Sequence, residues 1–330
     1  MSFSSFELLD HSKPIVVFGR DGQVGKALQD CLKDLQVPVV FLGRSDCDLS
    51  DEVAIIAVLN RFQPQVIINA AAYTAVDKAE TERELAFAIN AQAPAVMAHY
   101  IANLSHGILV HYSTDYVFGD TQKTDYLEID STGPVEKLGI YGQSKLAGEQ
   151  AIEEIFNQAQ NTRRASYADK FSRYFILRTS WVYGEGGNFI RTMLRLAAER
   201  DQLKVVADQI GVPTSAQWLA EIGIQMAGSR VESGVYHAVP DGETSWHGLA
   251  MFAIETAASS GEGIEVKSEN ILPIPAAEYP LPALRPYNSR LNHVKLKKAL
   301  VEMAFTGQYP HWQDQVEDYV KAYVKASLKS

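Results

Sequence analysis

The stretch PIVVFGRDGQVGKALQDCLKDL, residues 14–35, joins an apolar run to a glycine-rich turn and then to a helical pattern. The run PIVVFG is continuously apolar, which is typical of a strand buried on both faces of a parallel sheet. Gly19, Gly22 and Gly25 then let the backbone turn tightly and approach a diphosphate, to which the following helix presents free N–H groups. The same glycines also suit an ordinary strand-to-helix turn, so the rest of the chain has to decide between the two interpretations.

Apolar runs and helical patterns alternate along the first third of the chain. Strands are predicted at PIVVFG (14–19), PVVFLG (38–43), QVIINAAA (65–72) and GILVHYS (107–113). Helices are predicted between them at 23–35, 51–62 and 81–104. This order predicts an α/β fold with a doubly wound parallel sheet and right-handed crossovers, which is the Rossmann architecture.

The pattern continues past Tyr141 and then loosens. A helix is predicted from Tyr141 to about Phe156, followed by an exposed polar loop at 161–173 and a strand at 174–183. Beyond this strand, glycine and proline clusters interrupt the periodicity, and the chain ends in a predicted helix over 312–328.

We therefore predict two domains. A dinucleotide-binding Rossmann domain covers 1–183 and includes an N-terminal tail over 1–13. A smaller substrate-binding lobe covers 184–330 and is partly interleaved with the sheet.

Composition and charge exclude several classes of function. The 330 residues carry a formal charge of -10 with a pI near 5.3, and the basic residues are scattered, so nucleic acid is not expected as a partner. No segment has the roughly 18 uninterrupted apolar residues of a membrane span. Cys31 and Cys47 form neither a disulfide framework nor a metal-ligand spacing, and the N-terminus lacks the pattern of a secretory signal. We expect a soluble, cytoplasmic protein that does not bind membranes.

The end of the second predicted strand bears on the choice of coenzyme. A protein specific for NAD would place an acidic residue here, on the ribose 2′-hydroxyl, whereas this chain has Arg44. A guanidinium is a fork of donors suited to a phosphate, so Arg44 favours NADPH over NADH. Asp46 nearby would still serve the hydroxyl, and Arg44 also fits a solvated loop. Asp48 and Leu49 are candidates for contacts to the adenine.

The third strand leads into NAAAYTAVD, residues 69–77. Small residues at the carboxyl end of a strand let a flat cofactor pass over the sheet, although close packing of a helix asks for the same residues. The candidate cofactor contacts in this segment are Ala71, Ala72 and Tyr73. Thr74 and Val76 are candidate substrate contacts.

The fourth strand delivers HYSTDYVFG, residues 111–119. A hydroxyl at the carboxyl end of this strand, Thr114, can donate a hydrogen bond to a substrate oxygen, although threonines also end strands without any chemical role. Tyr112 is a candidate cofactor contact, and Asp115 and Tyr116 are candidate substrate contacts.

IYGQSKLAGEQ, residues 140–150, places Tyr141 and Lys145 one helical turn apart, so both heads can converge on one point. By itself this spacing also fits a solvated surface pair. A phenol has an unperturbed pKa near 10, and we expect the lysine ammonium, with the positive nicotinamide ring of the oxidised coenzyme nearby, to lower the Tyr141 pKa toward the working range. Tyr141 would then give its proton to a carbonyl oxygen held by Thr114, while Lys145 also binds the nicotinamide ribose.

Together these segments resemble the extended short-chain dehydrogenases/reductases, and within them the dTDP-4-dehydrorhamnose reductase family. The similarity runs from Ile15 to about Leu296. The segments that carry it are GRDGQVG, NAAAYTAVDKAE, HYSTDYVFGD, YGQSKLAGE, RTSWVYGEGGNFIRTMLRLA, DQIGVPTSA, GVYHAVPDGETSWH and RPYNSRLN.

The resemblance implies a reductase that converts dTDP-4-dehydro-6-deoxy-L-mannose to dTDP-L-rhamnose with NADPH or NADH. It places Thr114, Tyr141 and Lys145 at the catalytic positions of the family. It also places Gly22, Gln23 and Val24 in the dinucleotide turn, and Tyr116 and Trp181 at the deoxysugar. Two alternatives stay open, namely a reductase of another dTDP-4-keto-6-deoxysugar and a non-catalytic regulatory relative.

Further polar contacts to the sugar nucleotide are expected from Asn188, Arg191 and Arg285, since guanidinium groups suit phosphates. Arg191 also fits a surface helix position, and Trp181 also fits a core position. Some family members are dimers bridged by Mg²⁺ through acidic residues just after the glycine turn, but here Lys26 and Ala27 occupy that region. We therefore expect no such bridge and leave open whether the chain is a monomer or a homodimer.

Overall fold

The computed structural model describes residue 10 and residues 12–163, 172–261, 268–303, 305 and 307–327. At its centre lies a sheet of six strands in which every neighbouring pair is parallel. Their order across the sheet is Val39–Leu42, Ile15–Phe18, Val66–Asn69, Ile108–Thr114, Arg173–Thr179 and Gly234–His237. The predicted α/β fold with a parallel sheet is therefore confirmed.

The strands and helices follow one another along most of the chain. The strands are β1 (Ile15–Phe18), β2 (Val39–Leu42), β3 (Val66–Asn69), β4 (Ile108–Thr114), β5 (Arg173–Thr179), β6 (Val182–Tyr183), β7 (Leu203–Val206), β8 (Ile210–Gly211), β9 (Thr214–Ser215), β10 (Gly234–His237), β11 (Thr244–Ser245) and β12 (Ile271–Ile274). The helices are α1 (Gln23–Leu32), α2 (Glu52–Phe62), α3 (Val76–Ala79), α4 (Arg83–Phe87), α5 (Ala93–Ala102), α6 (Ile140–Arg163), α7 (Phe189–Glu199), α8 (Ala216–Gly228), α9 (Trp246–Ser259), α10 (Val294–Glu302) and α11 (Trp312–Ser327).

The sheet is covered on both faces because alternate side chains of each buried strand point to opposite sides. In β1, Ile15 and Val17 join a core with residues of α1, α8 and α10. Val16 and Phe18 join a second core with residues of α2, α5 and α6. This explains why the first strand is apolar at every position.

A further core lies outside the sheet layers. It collects residues of α7, α9 and α11 together with Leu203 and Val205 of β7 and Ile271 of β12. The part of the chain after residue 184 also contributes β10 to the central sheet and α8 and α10 to one of its faces. The division of the chain at residue 183 stays a prediction.

Several predicted boundaries are wrong. The helix expected over 81–104 starts at Arg83 and contains a π turn at Ala88–Gln92, where the Asn90 side chain accepts from the backbone N–H of Tyr73 and donates to its carbonyl. The helix expected over 23–35 ends at Leu32, and the one expected to end near Phe156 continues to Arg163.

The strand expected over 174–183 is also interrupted. Trp181 has a φ of 47°, which breaks β5 from β6, and β6 pairs with β9 outside the central sheet. Of the predicted loop at 161–173, residues 164–171 lie outside the described residues, as do most of the predicted tail over 1–13 and residue 328.

A buried ion pair fastens α6 to the sheet. The guanidinium of Arg178 on β5 contacts both carboxylate oxygens of Glu149, with Nη2 at 2.7 Å from Oε2 and Nε at 3.1 Å from each oxygen. Ser113 on β4 donates to the same carboxylate at 2.5 Å. Side-chain exposures of 6% and 2% show that Arg178 and Glu149 are both removed from water.

Replacing Arg178 with methionine is expected to lower the free energy of unfolding by about 3–5 kcal/mol, because Glu149 would be left as an unpaired buried charge. Chemical denaturation of the purified protein measures this change. Arg195→Met is the matched control, since Arg195 pairs with Glu199 on an exposed helix face and should cost at most about 0.5 kcal/mol. Equal losses in the two variants would contradict the anchoring role of the buried pair.

Candidate active site

A large cavity of about 720 Å³ lies at the carboxyl ends of the central strands. Its wall includes Phe18 at the end of β1, Leu42 at the end of β2, Thr114 at the end of β4 and Thr179 at the end of β5. Doubly wound sheets bind their ligands at this edge.

Most of the predicted site residues line this cavity. From the predicted cofactor set these are Gly19, Gly22, Gln23, Val24, Arg44, Asp48, Leu49, Ala71, Ala72, Tyr112, Tyr141 and Lys145. From the predicted substrate set they are Thr74, Val76, Thr114, Asp115, Tyr116 and Trp181. The predicted residues outside the lining are Gly25, Tyr73, Asn188, Arg191 and Arg285.

The glycine turn forms one end of the cavity. Gly19 has a φ of 93°, and a Cβ there would lie 2.6 Å from the backbone of Ala70 and Ala71. A Cβ on Gly25 would collide with the Gly19 carbonyl oxygen, so this third glycine serves the packing of α1 against β1. These two positions require glycine, and they bring the first turn of α1 to the cavity wall.

The residues present fit a dinucleotide. The helix N-terminus and the close backbone approach suit a diphosphate. Gln23 Oε1 and Thr179 Oγ1 belong to cavity-lining residues, and both atoms are buried without a hydrogen-bond partner among the described residues. Buried polar atoms are normally paired, so these two are ready to bind a polar ligand.

The adenosine end of the cavity is shaped by charged side chains. The Asp46 carboxylate accepts from the Gly43 N–H at 2.8 Å and pairs with Arg20 Nη1 at 2.7 Å, so it is held away from the lining. Arg44 is exposed and lines the cavity. Asp48 accepts from both the N–H and the hydroxyl of Ser50.

Tyr141 and Thr114 both line the cavity, and the ring of Tyr116 meets that of Tyr141 edge to face at 5.3 Å. Burial raises the pKa of Tyr141 to about 12, and the neighbouring Thr114 hydroxyl opposes this shift. The phenol is therefore protonated at neutral pH.

Lys145 is almost fully buried and directs its amine toward β4. Nζ donates to the Tyr112 carbonyl at 2.6 Å and lies 3.1 Å from His111 Nε2. Burial lowers the pKa of Lys145 to about 8, and the charge of Glu149 opposes the shift. Among the described residues, burial of the phenol outweighs the interactions that favour the phenolate. A lowering of the Tyr141 pKa by Lys145 together with the nicotinamide ring stays a prediction.

Trp181 and Trp246 form an aromatic pair in the cavity wall. Their rings stack with centroids 3.7 Å apart and planes at 14°, and Phe189 packs on Trp246 at 4.6 Å. The positive φ of Trp181 is unusual for a bulky residue, and such conformations cluster at functional sites. A Cβ on Gly211 would lie 2.7 Å from the Trp181 ring, so the indole is tightly held.

Asp115 lies beside Thr114 at the same end of the cavity. Burial raises its pKa to about 6, although the nearby Ser289 and the Thr114 hydroxyl, which donates to Oδ1 at 3.1 Å, favour the carboxylate. Its Oδ2 atom is buried without a partner among the described residues. A carboxyl group in this position can bind a sugar hydroxyl.

The predicted residues outside the lining have structural partners. Tyr73 donates its hydroxyl to Glu82 at 2.7 Å. Arg285 pairs with Asp77 at 2.8 Å, and its charge also acts on the neighbouring Tyr116.

Asn188 and Arg191 act together at the start of α7. The Asn188 side chain accepts from the Arg191 backbone N–H at 3.0 Å, and Arg191 Nε donates to the Tyr319 hydroxyl at 2.8 Å. These contacts connect α7 to α11.

Sequence reasoning missed several cavity residues. Trp246, Thr179 and Ser180 line the cavity, as do Lys26 and Glu185, which form an ion pair at 2.7 Å across its edge. Thr179 and Ser180 follow a buried strand, and that position was a usable signal. Trp246 and Glu185 approach the cavity only through the tertiary fold, so no local pattern identifies them.

Comparison with known proteins gives a consistent result. Residues 13–325 match the model of the family described as the RmlD substrate binding domain. A dTDP-4-dehydrorhamnose reductase of Shigella flexneri is 40% identical over 307 residues, which are 91% of this chain and 94% of the relative.

Two solved structures have the same fold. A dTDP-4-dehydrorhamnose reductase from Clostridium acetobutylicum superposes with a TM-score of 0.78 at 32% identity, covering 94% of this chain and 99% of that one. The enzyme of the same name from Bacillus anthracis, in complex with NADP, gives a TM-score of 0.78 at 32% identity over 93% of this chain and 98% of its own.

Substitution of Trp246 by leucine is expected to release the Trp181 indole, because the stacked partner is lost. The exciton signal of the stacked pair should disappear from the circular dichroism spectrum, and the free energy of unfolding should fall by about 0.5–1.5 kcal/mol beyond the loss of buried area. Trp218→Leu is the matched control, since Trp218 packs edge to face on Tyr309 and does not line the cavity. An unchanged exciton signal in the Trp246 variant would refute the pairing.

Proposed function

Because this chain belongs to the family of the RmlD substrate binding domain, we propose that it reduces the C4 ketone of dTDP-4-dehydro-6-deoxy-L-mannose to give dTDP-L-rhamnose. The reaction is the last step of dTDP-L-rhamnose synthesis. The observation that carries the proposal is the convergence of Thr114, Tyr141 and Lys145 on one cavity whose end is the glycine turn.

The proton in this reaction comes from Tyr141. The phenol is protonated at neutral pH, as a proton donor must be. Thr114 holds the carbonyl oxygen and Tyr141 donates its proton to that oxygen, so that the ketone becomes an alcohol and Tyr141 a phenolate. NADPH or NADH, bound along the glycine turn, supplies the hydride to C4.

The sugar end of the cavity is assigned to the residues after β4 and β5. The rings of Tyr116 and Trp181 form the walls around the deoxysugar, while Asp115 binds one of its hydroxyl groups. Arg285 lies close to Tyr116 and pairs with Asp77, and from this position it is assigned a polar contact to the sugar nucleotide. Asn188 and Arg191 are assigned to the diphosphate, which they reach only if their contacts with α11 rearrange.

The coenzyme assignment rests on Arg44. It lines the cavity, whereas Asp46 is already paired with Arg20 and the Gly43 N–H, and this supports a preference for NADPH.

The metal, the location and the domain division are proposed as well. Lys26 pairs with Glu185, which supports the view that this position does not hold a bridging Mg²⁺. A cytoplasmic location, a monomeric or homodimeric state and a substrate lobe over 184–330 complete the proposal. None of the described helices has the length and apolar character needed to cross a membrane.

The decisive experiment is to incubate the purified protein with dTDP-4-dehydro-6-deoxy-L-mannose and NADPH and to identify the product by NMR. Formation of dTDP-L-rhamnose is expected. Formation of only the talo epimer would instead indicate a different 4-ketosugar reductase. Absence of any substrate-dependent oxidation of NADPH would favour a non-catalytic relative.

Tyr141→Phe is expected to lower kcat by about 10²-fold or more, because the proton donor is removed while the ring remains. Coenzyme binding, measured by fluorescence titration, should change little. Tyr279→Phe is the matched control, since Tyr279 is 59% exposed and outside the cavity. Near-normal turnover of the Tyr141 variant would contradict its assignment as the acid.

Arg44→Ala is expected to raise the KM for NADPH by about 10- to 100-fold, because a charge-assisted hydrogen bond to a phosphate contributes about 1.5–3 kcal/mol. The KM for NADH should hardly change, since NADH lacks the 2′-phosphate. Steady-state kinetics with both coenzymes test this, with Arg195→Ala as a surface control. A parallel rise for both coenzymes would show that Arg44 does not read the phosphate.

A further inference from the structure

We propose that His111, locked in one tautomer by Asn69, is a positioning residue that disfavours the ammonium form of Lys145 and so makes this lysine an exchanging proton donor. The proposal deepens the proposed function and rests on its assignment of Tyr141 and Lys145. It is carried by a buried chain of hydrogen bonds from the end of β3 to α6.

The chain begins at the Asn69 amide, whose orientation is fixed by the backbone. Asn69 Oδ1 lies 3.2 Å from the N–H of Ala71, which can only donate, so this atom is the amide oxygen. The amide nitrogen Nδ2 is then 3.1 Å from His111 Nδ1. Asn69 and His111 are 0% and 1% exposed, so water does not offer these atoms another partner.

The amide orientation determines the tautomer of His111. Nδ2 of Asn69 is a donor, so Nδ1 of His111 must be the acceptor and carries no hydrogen. Burial holds the pKa of His111 well below its usual value, so the ring is neutral. A neutral ring without hydrogen on Nδ1 carries it on Nε2.

The Nε2–H group of His111 faces Lys145 Nζ at 3.1 Å. An ammonium has three donors and no lone pair, so it cannot accept from the Nε2–H group, and two donors would face each other without an acceptor. A neutral amine accepts from Nε2–H and still donates to the Tyr112 carbonyl at 2.6 Å. The network is fully satisfied only when Lys145 is neutral.

Other ionisable groups also lie near Lys145. Tyr141 and Glu149 lie on the same helix, and the Glu149 charge favours the ammonium but is shared with Arg178 on β5. Burial lowers the pKa of Lys145 to about 8. The donor-to-donor contact that an ammonium would make with His111 acts in the same direction. Both forms of the lysine are therefore accessible near neutral pH.

This arrangement gives Lys145 a defined step after reduction. The proton on Tyr141 has moved to the new alcohol, and the phenolate takes a proton from the Lys145 ammonium, giving a neutral phenol and a neutral amine. Burial favours this transfer, since it disfavours both the phenolate and the ammonium. His111 then stabilises the amine until it takes up a proton from water.

The test uses the coenzyme-free protein labelled with [ε-¹³C]lysine and titrated by NMR, with the Lys145 signal identified through Lys145→Arg. A midpoint near pH 8 is expected in the unmodified protein. Nitrogen shifts of ¹⁵N-labelled histidine should show His111 with hydrogen on Nε2 only. A Lys145 midpoint at or above 10, or hydrogen on Nδ1, would overturn the proposal without any substitution.

Asn69→Asp separates the tautomer from simple burial. The carboxylate accepts from both Ala71 N–H and His111 Nδ1–H, which turns Nε2 into an acceptor and should raise the Lys145 midpoint by about one to two pH units. Asn69→Asp combined with His111→Phe measures the effect of the added negative charge alone. The shift of the Lys145 midpoint caused by Asn69→Asp is therefore measured twice, once with His111 present and once in the His111→Phe variant. Equal shifts would reject the role of His111.

The NMR result is independent of the substrate. A protein that does not reduce the 4-ketosugar but titrates as expected would refute the proposed function and leave the histidine network standing. The opposite pair of results would refute only the network.

Discussion

The buried ion pair between Glu149 and Arg178 is the constraint on which the geometry of the cavity depends. Glu149 lies one helical turn beyond Lys145 on the same face of α6, so its contacts with β4 and β5 also set the height and rotation of Tyr141 and Lys145 above the sheet. A buried charge pair is weak as a source of net stability compared with apolar side chains. Its main contribution is therefore to fix α6 in one position relative to Thr114.

The sheet and its ligand-binding edge were predictable because their signals are local. A strand buried on both faces has to be apolar at every position, as Ile15–Phe18 is, and the glycine turn has to follow it directly. Tyr141 and Lys145 were identified from helical spacing, and Thr114 from its place at the end of a strand. Each of these inferences needs only neighbouring residues, and all of them lead to the same cavity.

The features that sequence reasoning missed arise from contacts between distant segments. The π turn at Ala88–Gln92 places the Asn90 amide against the Tyr73 backbone and the Ser144 hydroxyl. The hydrophobic periodicity of a helix does not predict the extra residue of such a turn. Trp181, whose φ of 47° interrupts its strand, stacks on Trp246, which lies 65 positions further along the chain. The tautomer of His111 likewise depends on Asn69 in a different strand.

The same burial explains why the phenol and the amine form a working pair. Removing a group from water disfavours its charged form, so burial raises the pKa of Tyr141 and lowers that of Lys145. An ion pair of phenolate and ammonium is thus disfavoured in this cavity relative to two neutral groups. A tyrosine that holds its proton is a donor for a ketone, whereas oxidation of an alcohol needs the phenolate. The protonated phenol is therefore the form that this cavity holds before reduction, and it is maintained by the burial of a side chain that the helix brings to the same wall as Lys145.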